Sequence, residues 1–186
     1  MNRQETQSNQ SNQGRSWAPG LVLETERLIL RRLALDDAPF ILALLNEPSF
    51  IQNIGDKGVR TLDDARAYLS NGPLASYERY GFGLSAVESR ETGEVMGICG
   101  LIKRDSLDDV DLGFAFLPAY WGQGYAVEAA AAVKRYGRER FGLQRIVAIT
   151  IPSNHGSMRV LEKVGFRFEK MVRLTEDGEE LRLYSD

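Results

Sequence analysis

The run Phe114 to Ala130 (Phe-Ala-Phe-Leu-Pro-Ala-Tyr-Trp-Gly-Gln-Gly-Tyr-Ala-Val-Glu-Ala-Ala) passes from an apolar strand pattern through Gly122 and Gly124 into an alanine-rich helix pattern. A chain containing it must build a strand, a tight turn and a helix in immediate succession. The glycines remove the side chains that would hold a ligand away from the backbone, and the helix leaves its first amides unpaired. The macrodipole adds roughly +0.5 charge at that end, so main-chain donors alone can hold a pyrophosphate there. Taken alone, the glycine pair also serves a tight turn or close helix packing. A Walker loop requires Gly-Lys-Ser/Thr where this chain has Gly124, Tyr125 and Ala126, and no GxGxxG is present, which points away from ordinary ATP and NAD sites.

The 186 residues, 43% hydrophobic and 26% charged, suit one globular domain and leave no room for a second. Residues 1–18 are mostly Gln, Asn, Ser and other polar types, too poor in apolar side chains to offset the entropy of ordering, and are read as a flexible tail before a domain at 19–186. No apolar stretch resembles a signal peptide or the ~18 residues of a membrane span, so a soluble, cytoplasmic protein is expected. A net charge of −3 argues against a nucleic-acid partner gripped through phosphates. One cysteine, Cys99, and one histidine, His155, preclude an internal disulfide and argue against a zinc site. Cys99 lies in an apolar run and is expected to be buried and inert.

Periodicity gives the order β, α, α, β, β, β, α, β, α, β, β. Arg27 to Leu33 reads as a strand, and Asp36-Asp37-Ala38-Pro39 starts a helix to about Asn46. Thr61-Leu-Asp-Asp64 resembles a capping box, and Pro73 is expected to restart a short further helix. Phe82 to Glu88, Val95 to Lys103 and Asp109 to Leu117 form an antiparallel meander, in which alternation puts Asp111 on the face of Gly113 and Ala115. The glycine-turn helix, with Ala126, Ala129, Ala130, Val133 and Gly137 on its packing stripe, ends at Gly142. Ile146 to Ile151 is an apolar strand, Asn154 caps a helix ended by Gly165, and Phe166 to Leu174 and Glu180 to Tyr184 form a closing hairpin.

That order, with Tyr120-Trp-Gly-Gln-Gly-Tyr-Ala-Val-Glu-Ala129 and Asn154-His-Gly-Ser-Met-Arg-Val-Leu-Glu-Lys-Val-Gly-Phe166, resembles the GNAT superfamily of acetyl-CoA-dependent N-acetyltransferases, and within it the ribosomal-protein N-terminal (Rim-type) branch. Glu24-Thr-Glu-Arg-Leu-Ile-Leu-Arg31 also resembles the first strand of that branch, so the likeness covers nearly everything except the tail. It implies an α/β (α+β) fold: a mixed, mostly antiparallel sheet of about seven strands, helices on both faces, and a splay between the fourth and fifth strands. The wider superfamily often has Gln or Arg where this chain has Trp121. The grip on pyrophosphate then rests on the amides of Gly122, Gln123, Gly124, Tyr125 and Ala126, with the Gln123 side chain assisting.

The resemblance further implies that Phe116 and Leu117 pair with pantetheine amides across the splay, as an added strand would, that a nearby main-chain N–H stabilises developing negative charge, and that Asn154 bonds a pantetheine amide or simply caps its helix. Asp111 stands where relatives place a base, directly or through water, or is a plain polar residue at a strand edge; Ser157 stands where the branch protonates the leaving thiolate, or is an ordinary first-turn residue. His155 is expected to be exposed. A neutral amine costs about 1.4 kcal/mol at pH 7 for an α-amino group of pKa ~8 but about 4.6 for a lysine of ~10.4, which makes a protein N-terminus the easier acceptor. A small-molecule amine (polyamine or antibiotic) and a noncatalytic acyl-CoA-binding sensor are the alternatives. The acceptor site is expected from residues 46 to 80 and 104 to 108, no metal is expected, and a homodimer stays open.

Overall fold

The computed structural model describes residues 20–186. The expected polar tail lies outside the described residues. The strands are β1 Leu21–Glu24, β2 Leu28–Arg32, β3 Leu84–Ser89, β4 Val95–Ile102, β5 Val110–Phe116, β6 Ile146–Thr150, β7 Arg167–Val172 and β8 Leu181–Ser185; the α-helices are α1 Ala38–Leu45, α2 Pro48–Ile54, α3 Leu62–Leu69, α4 Ala75–Tyr80, α5 Tyr125–Phe141 and α6 His155–Lys163. The strands form one mixed sheet in the order β1-β2-β3-β4-β5-β6-β8-β7. The strand beyond the expected seven is β1, which folds back on β2 through Thr25 to Arg27. Helix α2 was also not anticipated, although Pro48 at its first position is a start signal.

Strand alternation divides the core. Leu28, Leu30, Val87, Cys99, Leu101, Leu112 and Phe116 turn to Ala129, Ala130 and Val133 of α5 and to Met158 and Leu161 of α6. Ala86 and Ile98 turn the other way, to Ile41, Leu44 and Leu45 of α1 and Ala65 and Leu69 of α3. Both faces are thereby covered, as a period of two in doubly buried strands requires. Helix α5 lies close on the sheet because Gly137 has no Cβ: one placed there would stand 3.0 Å from Leu101 Cδ1.

The capping box at Thr61 forms as the sequence indicates, with Asp64 N–H donating to Thr61 Oγ1 at 3.1 Å and Thr61 N–H donating to Asp64 Oδ2 at 2.9 Å. Pro73 does not restart a separate helix. It sits in a π turn, Ser70–Leu74, that joins α3 to α4 without leaving helical geometry, and the wider turn accommodates a ring that would clash in a regular helix.

Strands β5 and β6 are the parallel neighbours. They pair only at Val110 with Ile146 and Asp111 with Val147, then separate. The expected splay is therefore present, opening immediately after Asp111. Among the described residues, no helix is long and apolar enough to cross a membrane.

Candidate active site

A cavity of about 1160 Å³ runs from the glycine turn, through the β5–β6 splay, to the α2–α4 side of the sheet. Asp111, Phe116, Gly122, Gly124, Tyr125, Ala126, Asn154 and Ser157 all line it, so eight of the expected site residues converge on one space. Leu117 and Gln123 do not line it.

The turn is built as an anion cradle. Gly122 and Gly124 have φ of +74° and +85°, a region that L side chains rarely enter. A Cβ at Gly122 would meet nothing within 4 Å, so the backbone there is open to a ligand. Helix α5 has no side-chain cap, and its first internal bond runs from Glu128 N–H to Gly124 C=O at 3.0 Å. The preceding amides of Tyr125, Ala126 and Val127 are left for an anion. This fits the diphosphate of coenzyme A.

Two residues behave differently from the sequence expectation. Leu117 N–H donates to Met96 C=O at 3.0 Å, and its carbonyl accepts from Tyr120 N–H at 3.0 Å, so its main chain has nothing left for the splay. Alternation then aims the main-chain groups of Leu112, Phe114 and Phe116 at the gap. Phe116 C=O already accepts from Trp121 Nε1 at 2.8 Å, which leaves the N–H of Phe116 and both groups of Phe114 as the strand-like partners available there. The Gln123 side chain likewise turns away, its Nε2 donating to Ala119 C=O at 2.9 Å.

Asp111 is 1% exposed and accepts from Arg104 Nε at 2.6 Å. Burial pushes its carboxyl above the usual carboxylate range, and the charge and hydrogen bond of Arg104, with the Ile149 amide, oppose that only in part. At the far side of the splay, Ser157 N–H donates to Asn154 Oδ1 at 2.9 Å, so Asn154 caps α6 and keeps its Nδ2 for other partners. His155 is exposed, and Cys99 is fully buried with its thiol pushed up by burial.

Sequence reading missed the residues that brace the cradle. Glu128 accepts from Thr25 Oγ1 at 2.6 Å, Arg27 N–H at 2.9 Å and Arg27 Nε at 2.7 Å; Arg27 Nη1 donates to Gln123 C=O at 2.9 Å, and its guanidinium lies 4.5 Å from the Tyr125 ring centroid. Burial pushes Glu128 up, but these hydrogen bonds outweigh it and hold the carboxyl below its ordinary range. Arg104 and Lys57 were missed likewise, except as members of the segments expected to shape the acceptor side.

Comparison with known proteins agrees with this geometry. The acetyltransferase (GNAT) domain model matches residues 27–167. Relatives include an uncharacterized N-acetyltransferase of Bacillus subtilis, YoaA, 29% identical over 82% of this chain and 86% of its own. An acetyltransferase from Agrobacterium tumefaciens superposes with a TM-score of 0.75 at 29% identity, covering 88% of this chain and 92% of its own. The ribosomal-protein α-N-acetyltransferase RimL, in complex with coenzyme A, shares the fold at a TM-score of 0.77 and 16% identity, over 89% and 97% of the two chains. An uncapped helix behind two left-handed glycines, a sheet parted beside it and a family match across both place the chain among the GNAT acetyltransferases, as an acetyl-CoA-dependent N-acetyltransferase.

Proposed function

We propose that the acceptor is a primary amine that reaches the acyl group from the α2–α4 side, and that a protein N-terminal α-amino group is its preferred form. The observation that carries this is the continuity of one cavity from the glycine turn to the buried carboxylate of Asp111. A raised carboxyl at the end of the paired part of β5 suits proton acceptance near neutral pH.

Bound acetyl-CoA supplies an activated acyl carbon. The chain supplies the rest: the amides of Tyr125, Ala126 and Val127 hold the diphosphate, and Phe114 and Phe116 offer main-chain partners along the gap. Asp111 takes the proton that the amine nitrogen loses as the C–N bond forms, directly or through a bridging water, while Arg104 holds its Oδ2. Ser157, across the cavity, gives its hydroxyl proton to the departing sulfur as the C–S bond breaks and recovers one from solvent. The low cost of a neutral α-amine and the fold shared with a ribosomal-protein α-N-acetyltransferase support the N-terminal acceptor.

The test is thiol release from acetyl-CoA across a panel of peptides, polyamines and aminoglycosides. Turnover fastest with free peptide N-termini is expected. Turnover confined to polyamines or aminoglycosides overturns the N-terminal preference, and silence across the panel favours a sensor.

A further inference from the structure

The acceptor side of the cavity carries more positive charge than its own carboxylates neutralise. Four cationic side chains line this half: Lys57, Arg79, Lys103 and Arg104. Lys103 Nζ is occupied by its own loop, donating to the carbonyls of Leu107 at 2.5 Å and Asp108 at 2.9 Å. Arg79 lies over the Tyr80 ring, 5.1 Å from its centroid.

Arg104 and Lys57 are different. The guanidinium of Arg104, which lines the cavity, gives Nε to Asp111, and among the described residues nothing accepts from Nη1 or Nη2, so its terminal donors are unused. Lys57 has no carboxylate partner among the described residues. Its neighbour Asp56 is held elsewhere, accepting from Arg60 Nη2 at 2.5 Å and from Gly58 N–H at 2.8 Å. The loop that carries Lys57 is fixed from beneath, because Asn46 Nδ2 donates both to Val59 C=O and to Leu42 C=O, each at 2.8 Å. Lys57 and Arg104 line the same half of the cavity, and partial desolvation and then the like charge of Arg104 hold the exposed Lys57 ammonium below its ordinary range. Against these four cations stand three carboxylates in the same lining, Glu47, Asp105 and Asp111, so the acceptor half keeps a surplus of one positive charge, and Lys57, exposed and without a carboxylate partner among the described residues, is the cation left unpaired.

We propose that this half of the cavity recognises an acceptor that bears a carboxylate close to its reacting amine, the carboxylate bridging the Lys57 ammonium and the outer edge of the Arg104 guanidinium. The inference rests on the transferase reading above and names the substrate class for it. Arg104 then acts as a positioning residue twice over, holding Asp111 through Nε and the acceptor through its terminal nitrogens in the planar, forked geometry that suits carboxylates. The same two cations disfavour an ammonium beside them, so they promote the neutral amine that attack requires. The carboxylate has two sources, a free α-amino acid or an acidic side chain near a peptide N-terminus.

Both sources are tested together. Thiol release is measured with glycine and alanine against their carboxamides, and with Ser-Asp-Ala-amide against Ser-Asn-Ala-amide, rates being expressed per neutral amine. The expected result is a preference of roughly tenfold in kcat/KM for the carboxylate member of at least one pair, the pair identifying the source. Lys57→Met reduces that preference to about twofold by raising KM at little cost in kcat, whereas Lys170→Met on β7 leaves it intact. Equal turnover of the neutral members, or a preference unchanged in Lys57→Met, overturns the inference while leaving the transferase reading standing. If no amine is acetylated, calorimetry of the coenzyme A-loaded protein with the same pairs decides. Binding of the acidic members that is lost in Lys57→Met upholds the anion site against a failed transferase reading, and no discrimination overturns it.

Discussion

Arg27 and Glu128, 101 residues apart in sequence, meet at 2.7 Å and fasten the glycine turn to the β1–β2 hairpin. The pair does not touch the cavity. It fixes the Gln123 carbonyl and the Tyr125 ring, and through them the direction in which the first α5 amides point.

Glu128→Gln removes an ionised acceptor of three hydrogen bonds at a site 19% exposed, while Arg27 is 43% exposed and partly screened. A loss of about 1–2 kcal/mol is expected, read as a lower melting temperature and an acetyl-CoA Kd raised ~5- to 20-fold with kcat little changed. Because the Glu128 carboxyl is held below its ordinary range, its stabilisation is complete above the unfolded value of ~4.3 and disappears as pH falls through the folded one. The stability gap between wild type and Glu128→Gln, followed by denaturant titration, should close in that acidic window and stay constant between pH 6 and 8.

Gly122 and Gly124 separate backbone strain from collision. Gly122→Ala adds a Cβ with open space around it at φ +74°, so it costs about 1–2 kcal/mol of strain and little else. Gly124→Val sets a branched side chain at φ +85° with its Cβ 3.3 Å from Arg27 Nη2, and should weaken acetyl-CoA binding far more than Gly122→Ala does. Calorimetric Kd values for the two variants give the comparison.

Asp111→Asn leaves shape intact and removes the proposed proton acceptor. A fall in kcat of ~10²- to 10⁴-fold is expected, together with loss of an acid limb that in the wild type lies above the ordinary aspartate value of ~3.9. Unchanged turnover and an unchanged pH–rate profile remove Asp111 from the role.

Trp121→Phe keeps the aromatic surface and deletes the indole N–H that occupies Phe116 C=O. Since Trp121 is 52% exposed, the fold should lose at most about 1 kcal/mol. The acetyl-CoA KM reports whether the released carbonyl gains a ligand partner or merely loses its orientation.

What the sequence disclosed was local in origin. The glycine turn, the Thr61 capping box, the Asn154 cap and the strand alternation around Asp111 are each written within a few residues, and each is found where the pattern puts it. Position in a strand also sufficed to place Asp111 on the face of Ala115. What it concealed depended on distance along the chain. No periodicity relates Thr25 and Arg27 to Glu128, or brings Lys57 and Arg104 to one cavity, because the tertiary packing that unites each set is nonlocal. Leu117 shows a finer limit: whether a main-chain group faces the gap or β4 changes with every residue, and only the observed register settles it.

The seam between β5 and β6 is two residue pairs long, and Phe116 lies five residues past it. At ~3.3 Å of rise per residue that is a lever arm of ~16 Å, so each degree of rotation at the seam shifts its far end by ~0.3 Å. Because β5 stays paired with β4 as far as Phe116 and β6 stays paired with β8, such a rotation would carry one half of the sheet against the other, and substitutions at Val110 or Ile146, beside the seam, are expected to change the width of the gap.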